Sequence, residues 1–502
     1  MMKYSCLLTA TASLLGGHCL AAQNKTQPKP HIFLIMTDQQ RGDCIGRVNP
    51  AIQTPNLDRL ANDGVLFSNA YSSVPSSTPA RAGLLTGLSP WHHGMLGYYK
   101  VAESYRYEMP RMLSQAGYYT IGIGKMHWHP QRNLHGFHQT LLDESGRVES
   151  DDFISDYRQW FQKMAPNVDP DATGIGWNEH RAGTYLLAED LHPTVWTNEV
   201  AMDFIEQHDL NQPLFMKVSF ARPHSPYDPP KRYLDLYENA IIPAPYVGEW
   251  AVPFASYTNT PDAAFGDFGV EHAINSRRHY YAAITFIDDQ IGEFIKLLKE
   301  KGIYDQSLII FTSDHGDMMG DHHHWRKTYA YEGSSHVPMI MKWPKSVKAA
   351  VKKGTVLPQP VELRDILPTF LNAASLPIPG DMDGRSMLEL VKQKRAPWRE
   401  YIDLEHATTY QESNYWCALT DGKSKYIWFF RTGEEQLFDI SKDKSEAINL
   451  AGKPEHMPKL ELWRQRMVSH LSERGEPFVK DGQLMLFQRT MLVGPNYPKS
   501  AK

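Results

Sequence analysis

The feature that most constrains the fold is a series of short apolar runs, each followed at once by polar residues and separated from the next by helix-period sequence. Residues 31–36 lead into Thr37, Asp38 and Gln39; residues 214–220 lead into Arg222, Pro223 and His224; residues 308–311 lead into Ser313, Asp314 and His315. Apolar runs this short, without polar alternation, read as strands buried on both faces. Between them Thr54 caps and Pro55 starts a helix through Leu57 and Leu60 that stops at Gly64. A longer helix over 277–301 carries Ile284, Ile287, Ile291, Ile295 and Leu298 on one stripe before Gly302. Such alternation predicts an α/β fold, a mainly parallel sheet sandwiched by helices. Sheets of that kind gather ligands at the carboxyl ends of their strands, where these polar residues stand.

With 502 residues, 42% hydrophobic, the chain has core enough for one large domain and a smaller one. A net charge of −5 gives no ground for a nucleic-acid or membrane-surface partner. Residues 393–397 (Gln-Lys-Arg-Ala-Pro) are charged and proline-broken, a boundary that divides the chain into 27–395 and 396–490. Beyond it, short runs near 415–419, 425–430 and 436–440 and a helix over 458–473 predict a small antiparallel α+β subdomain. Residues 1–22, with Lys3, an apolar stretch and Cys19-Leu20-Ala21-Ala22, have the layout of a cleavable export signal. His18 occupies the position where a lipobox needs a small residue. Export to the periplasm or medium follows, and no other apolar run is long enough to span a membrane. Cleavage leaves Cys44 and Cys417, neither a disulfide framework nor a thiolate cluster, so a bound metal must rely on oxygen and imidazole.

The chemistry centres on residues 75–87 (Pro-Ser-Ser-Thr-Pro-Ala-Arg-Ala-Gly-Leu-Leu-Thr-Gly). Thr78 or Ser77 suits a helix N-cap, Pro79 its first turn and Gly87 its stop, so Ser77 stands at the positive end of a short helix. From there Arg81 can fold back and offer a fork of donors to an oxyanion. Ser77-x-Pro-x-Arg followed by Ala-Gly-Leu-Leu-Thr-Gly resembles, position by position, the signature of the type I sulfatases, and residues 117–127 (Gly-Tyr-Tyr-Thr-Ile-Gly-Ile-Gly-Lys-Met-His) resemble the second signature of that family.

The resemblance covers nearly the whole mature chain and implies an alkaline-phosphatase-like fold. It implies that a serine-type maturase oxidises Ser77 to formylglycine. It also implies that Asp38, Gln39, Asp314 and His315 bind one divalent cation, calcium in the family, and that Arg81, Lys125, His127, His224 and Lys327 serve catalysis. His127 is then the base that helps release sulfate and His224 the acid that protonates the departing sugar oxygen. Lys125 and His127 would face one side if their strand persists. The family often has Asn where this chain has His315, and an imidazole is an unusual ligand for calcium, so the identity of the ion stays open.

The Asp-Gln plus Asp-His pairs, and the step from Asp314 to Lys327, look similar to bacterial uronate 2-O-sulfatases acting on glycosaminoglycan sugars. A sulfated saccharide is the substrate this implies. A 6-O- or 4-O-specific glycan sulfatase, a phosphonate or phosphate ester hydrolase of the same superfamily, and a sugar binder with unmodified Ser77 are the alternatives. The Tyr98-Tyr99-Lys100 loop either clamps a saccharide or packs.

Overall fold

The computed structural model describes residues 29–499 except 146, 148, 149, 151 and 257–259; the export signal expected at 1–22 lies outside the described residues. The chain is built on an eight-stranded sheet ordered Gln139–Leu142, Tyr119–Gly124, Leu214–Pro223, Ile32–Asp38, Leu308–Ser313, Met339–Lys342, Val65–Phe67, Thr355–Leu357. Ile32–Asp38 pairs in parallel with Leu214–Pro223 and Leu308–Ser313. Met339–Lys342 alone runs against its neighbours in this mainly parallel, alkaline-phosphatase-like arrangement.

Alternate residues along the strands feed two cores, as the period of two requires. Ile32, Leu34, Met36, Phe215, Leu308 and Ile310 face the helices Ser77–Thr86 and Ile366–Ala373. Phe33, Ile35, Met216, Val218, Ile309 and Phe311 face the helices Pro55–Asp63, Pro193–Gln207 and Val270–Glu300. Burial on both faces explains why these strands read as unbroken apolar runs.

Two local expectations change. The long helix begins at Val270, earlier than its apolar stripe suggests, because its polar first turns are set instead by Gly269 at φ +87° and by Asp267, whose carboxylate accepts the Gly269 N–H at 2.9 Å. Its stripe also divides: Ile287, Ile291, Ile295 and Leu298 reach the sheet, whereas Ile284 packs among Tyr227, Tyr233 and Tyr280. Thr54 precedes the first helix but does not cap it with its side chain, since its hydroxyl accepts the Gly46 N–H at 2.7 Å. The cap comes from the long helix, where Asp288 accepts the N–H groups of Asn56 (3.0 Å) and Leu57 (2.7 Å). Burial pushes the Asp288 carboxyl up to about 7.

The C-terminal strands Ile402–His406, Trp416–Thr420, Ser424–Phe429 and Glu435–Asp439 form an antiparallel sheet in chain order. One face packs Cys417, Leu419, Tyr426 and Leu437 on Leu460, Trp463 and Met467 of the helix Met457–Leu471. The other packs Leu404, Trp416, Ala418 and Phe438 on Tyr71, Tyr329 and Tyr331, which sets the hairpin loop after His406 beside the ends of the main strands. Cys44 and Cys417 are buried free thiols. Among the described residues no helix is long and apolar enough to cross a membrane.

Candidate active site

Adjacent strands deliver the polar residues to one place. Asp38 ends the central strand, Asp314 and His315 follow Leu308–Ser313, His224 follows Leu214–Pro223, and Lys125 follows Tyr119–Gly124. Ser77, Arg81, Gln39, His127 and Lys327 join them, and none of these residues is more than 6% exposed. All ten site residues inferred from sequence are therefore buried; direct contacts join Asp38, Ser77, Arg81, Lys125, Asp314 and His315, and Lys327 pairs separately with His224.

Ser77 is the first residue of its helix, and the N-cap is Ser76, with extended backbone (φ −154°, ψ 154°), rather than Ser77 or Thr78. The shift has a physical cause. The His406 ring donates from Nδ1 to the Ala407 carbonyl at 2.5 Å, which makes Nε2 an acceptor for the Ser76 hydroxyl at 2.8 Å. Gly87 closes the helix at φ +69°, in the left-handed region that favours glycine. Arg81 presents less than a full fork. Its Nε donates to Asp314 Oδ2 (2.9 Å) and its Nη1 to the Lys125 carbonyl (2.7 Å), while Nη2, 3.6 Å from Asp38 Oδ2, has no hydrogen-bond partner among the described residues.

Asp38, Asp314 and His315 each offer a ligand atom within 4.8 Å of the others, a set that can hold a metal ion. His315 donates from Nδ1 to the Gly316 carbonyl at 2.9 Å, leaving Nε2 3.8 Å from Asp38 Oδ1 and an acceptor for the Ser77 hydroxyl at 3.0 Å. Burial pushes the His315 imidazole down to about 3, so it is neutral, as a ligand must be. Gln39 has a side-chain oxygen that could join the set. Its Nε2 donates to Asp317 Oδ2 at 2.6 Å, which fixes the amide, and its Oε1 is buried without a partner among the described residues. Asp317 holds that position firmly, accepting also from the Tyr227 hydroxyl (2.6 Å) and from the N–H groups of Met319 and Arg326 (both 2.9 Å). Three oxygen donors and one imidazole suit a divalent cation. Burial works to raise the Asp314 carboxyl, but His315, Arg81, Lys125 and Lys327 overrule it and hold Asp314 below the usual carboxylate range.

The strand bearing the second signature does not persist. It ends at Gly124, φ +87°, where a Cβ would stand 2.2 Å from the Ser219 carbonyl oxygen. Lys125 and His127 therefore reach the site by a turn, not by strand alternation. His127 has φ +58°, and Glu144 Oε1 accepts the N–H groups of Met126 (2.9 Å) and His127 (3.0 Å) to hold that turn. The Lys125 ammonium lies against Asp38 Oδ2. Lys327 Nζ stands 3.0 Å from His224 Nε2, whose ring donates from Nδ1 to the Ser225 carbonyl at 3.0 Å, so the lysine is the donor of that contact.

Burial first, then neighbouring cations, depresses every base here. Lys125, His127 and His224 fall well below their ordinary values, and Lys327 is pushed down to about 7. Arg147 leads the charges that depress Lys125, His127 and Lys327. Its Nη1 is buried without a hydrogen-bond partner among the described residues. Arg147 and Glu144 stand in neither signature, and nothing in their spacing marks them. Asp317 lies three residues past Asp314, and only its contact with Gln39 gives it a role. Gln39, His127, Arg326 and the β-branched Thr328 all have positive φ (69°, 58°, 65° and 83°), a concentration of backbone strain typical of functional sites.

Comparison with known proteins identifies the family. The Sulfatase family model matches residues 30–376, and the N-sulphoglucosamine sulphohydrolase C-terminal model matches residues 320–473. An arylsulfatase of Clostridium perfringens is 39% identical over 472 residues, covering 91% of this chain and 97% of that protein. The phosphonate monoester hydrolase of Agrobacterium radiobacter superposes with a TM-score of 0.75 at 24% identity, over 89% of this chain and 96% of that one. A protein solved with its substrate D-glucosamine-2-N,6-O-disulfate superposes with a TM-score of 0.73 at 24% identity, over 89% and 99%.

Proposed function

The chain belongs to the sulfatase family and is a sulfuric ester hydrolase, and we propose that it cleaves sulfate esters of carbohydrate, with uronate 2-O-sulfate of glycosaminoglycan oligosaccharides as the position attacked. The observation that carries the proposal is the buried cradle in which Arg81 and Lys125 pair with Asp38 and Asp314, His315 bonds Ser77, and Lys327 stands on His224. A sulfate monoester spreads one negative charge over three oxygens that shield its sulfur from a nucleophile. Fixed cations in a dry site neutralise that shield without reorganising, commonly the largest catalytic effect.

Asp38, Gln39, Asp314 and His315 would hold the cation, calcium in this proposal, and it would supply further charge neutralisation at the sulfate. Formylglycine made from Ser77 by a serine-type maturase would supply, when hydrated, the attacking oxygen and an internal route for releasing sulfate. The chain's own groups do the rest. The helix N-terminus and Arg81 Nη2 face the anion at residue 77. Lys327, with a proton to give near neutral pH, donates toward His224 Nε2, and the pair delivers that proton to the departing sugar oxygen. His127, neutral and with Nδ1 unpartnered among the described residues, is the base at residue 77. Each transfer is worth about 10²–10⁴-fold. A periplasmic or secreted location would bring the enzyme to polysaccharide fragments.

Protein expressed with a serine-type maturase, assayed on disaccharides sulfated at 2-O, 4-O, 6-O and N, tests the substrate. Mass spectrometry of the Ser77 peptide, with a loss of ~2 Da on oxidation, tests the modification, and metal analysis tests the ion. Turnover confined to 4-O- or 6-O-sulfated sugars would overturn the 2-O position and keep the sulfatase. A phosphonate monoester has the same charge and shape, so preference for one over every sulfate ester would overturn the substrate class.

A further inference from the structure

Two tyrosines from distant parts of the chain stand in solvent beside the buried cradle: Tyr98, 45% exposed, and Tyr410, 39% exposed. The Tyr98 hydroxyl lies 3.3 Å from His127 Nε2, and its ring meets the imidazole edge-on at 6.0 Å. Its neighbour Tyr99 turns away onto Tyr497, edge-on at 5.7 Å. Of the loop singled out in the sequence, only Tyr98 addresses the site.

Tyr410 comes from the C-terminal subdomain, on the loop joining Ile402–His406 to Trp416–Thr420. The Arg326 guanidinium covers one face of its ring, 4.4 Å from the centroid, and Arg326 immediately precedes Lys327. Burial raises the Tyr410 phenol against the opposing pull of the Arg326 cation.

This loop is built into the site. Asn414 Nδ2 donates to Thr328 Oγ1 (2.9 Å) and Trp416 Nε1 to the Thr328 carbonyl (3.0 Å), fastening the hairpin to the Lys327 segment. Tyr410 itself is held at φ +66°, a conformation costly for a bulky residue that persists only where its surroundings enforce it.

We propose that Tyr98 and Tyr410 form a stacking cleft for the pyranose ring that carries the sulfate. The proposal rests on the saccharide substrate above. A pyranose has C–H-rich faces of slightly positive character that pack on the negative face of an aromatic ring. Tyrosine supplies that area on few rotatable bonds. With Arg326 behind Tyr410, only the opposite face of that ring is open to a sugar.

The test uses full-length matured enzyme carrying Tyr410→Ala, Tyr410→Leu or Tyr410→Phe. KM and kcat are measured on a sulfated disaccharide the wild type cleaves, with inhibition by inorganic sulfate as a probe of the cradle alone. Tyr410→Ala and Tyr410→Leu should raise KM by about tenfold, roughly the value of one stacked ring, with the loss in KM rather than kcat. Tyr410→Phe should restore wild-type KM, and sulfate inhibition should not change. Unchanged KM in a folded Tyr410→Ala protein, or equal damage from Tyr410→Phe, overturns the cleft alone. A wild type that cleaves nitrophenyl sulfate but no saccharide overturns the substrate reading instead.

Discussion

Two buried charge clusters of this chain contain the same kinds of residue and hold their lysines in opposite states. Beneath the C-terminal sheet, Lys425 is fully buried and lies 2.8 Å from both Glu332 and Glu446. Burial alone would lower it, but the two carboxylates raise it above the ordinary lysine value. In the cradle Lys125 and Lys327 are also buried, yet both are lowered, because Arg147 adds to the cost of burial at each, Lys327 adds to it at Lys125 and Arg326 at Lys327. The cluster around Lys425 meets its one cation with carboxylates of its own. The cradle, with Asp38 and Asp314 assigned to a cation, keeps Arg81, Lys125 and Lys327 in excess and is matched only by an anionic substrate. Net stability favours the first arrangement and transition-state binding the second.

The largest effect expected is on turnover within the cradle. Ser77→Ala should lower kcat by on the order of 10⁴-fold or more, the scale of removing a nucleophile, with the melting temperature nearly unchanged. Asp314→Ala should abolish both turnover and stoichiometric metal, read by elemental analysis of the folded protein. Metal retained at wild-type occupancy would remove Asp314 from the ligand set.

The sharpest contrast is in stability. Lys425→Met leaves Glu332 and Glu446 buried without a cation and should cost roughly 3–5 kcal/mol, while activity per folded molecule survives. Lys327→Met removes a cation that has no carboxylate salt bridge among the described residues and should leave the melting temperature unchanged or raised, while kcat falls about 10²–10⁴-fold. Equal destabilisation by the two substitutions, measured by thermal unfolding, would break the comparison between the clusters.

The sequence discloses the cradle better than the Lys425 cluster. Asp38, Asp314 and His224 follow apolar strands, and parallel pairing gathers such ends without help from distant loops. Ser77 and Arg81 lie within one helical turn, so their relation is local. Glu332, Lys425 and Glu446 meet only because the C-terminal sheet docks on Tyr71, Tyr329 and Tyr331, and no periodicity encodes that docking. The same holds for Glu144, Arg147 and Tyr410, each carried into place by a loop. The cap of the first helix illustrates the limit: Thr54 had the right residue type, but Asp288, far along the chain, took the role.

The smallest effect expected is a pH dependence, and it isolates Lys327. The folded protein holds this amine at about 7, against an ordinary value of 10.5, so between these values the unfolded chain binds more protons than the folded one. Stability contributed through this group therefore rises with pH across that window. The penalty for burying the cation is full below about 7 and fades toward 10.5 as the folded amine loses its proton. The melting temperature of Lys327→Met relative to wild type should accordingly be most favourable near pH 6 and converge on wild type toward pH 10. The activity of the wild type should show the complementary trend. If protonated Lys327 supplies the proton that His224 passes on, kcat/KM falls as pH rises through the neutral range, and Lys327→Met loses that limb. A difference in melting temperature that is flat from pH 6 to pH 10 would mean that Lys327 keeps its proton throughout, and the proton-donating role of the Lys327–His224 pair would then fail together with the electrostatic account of the cradle.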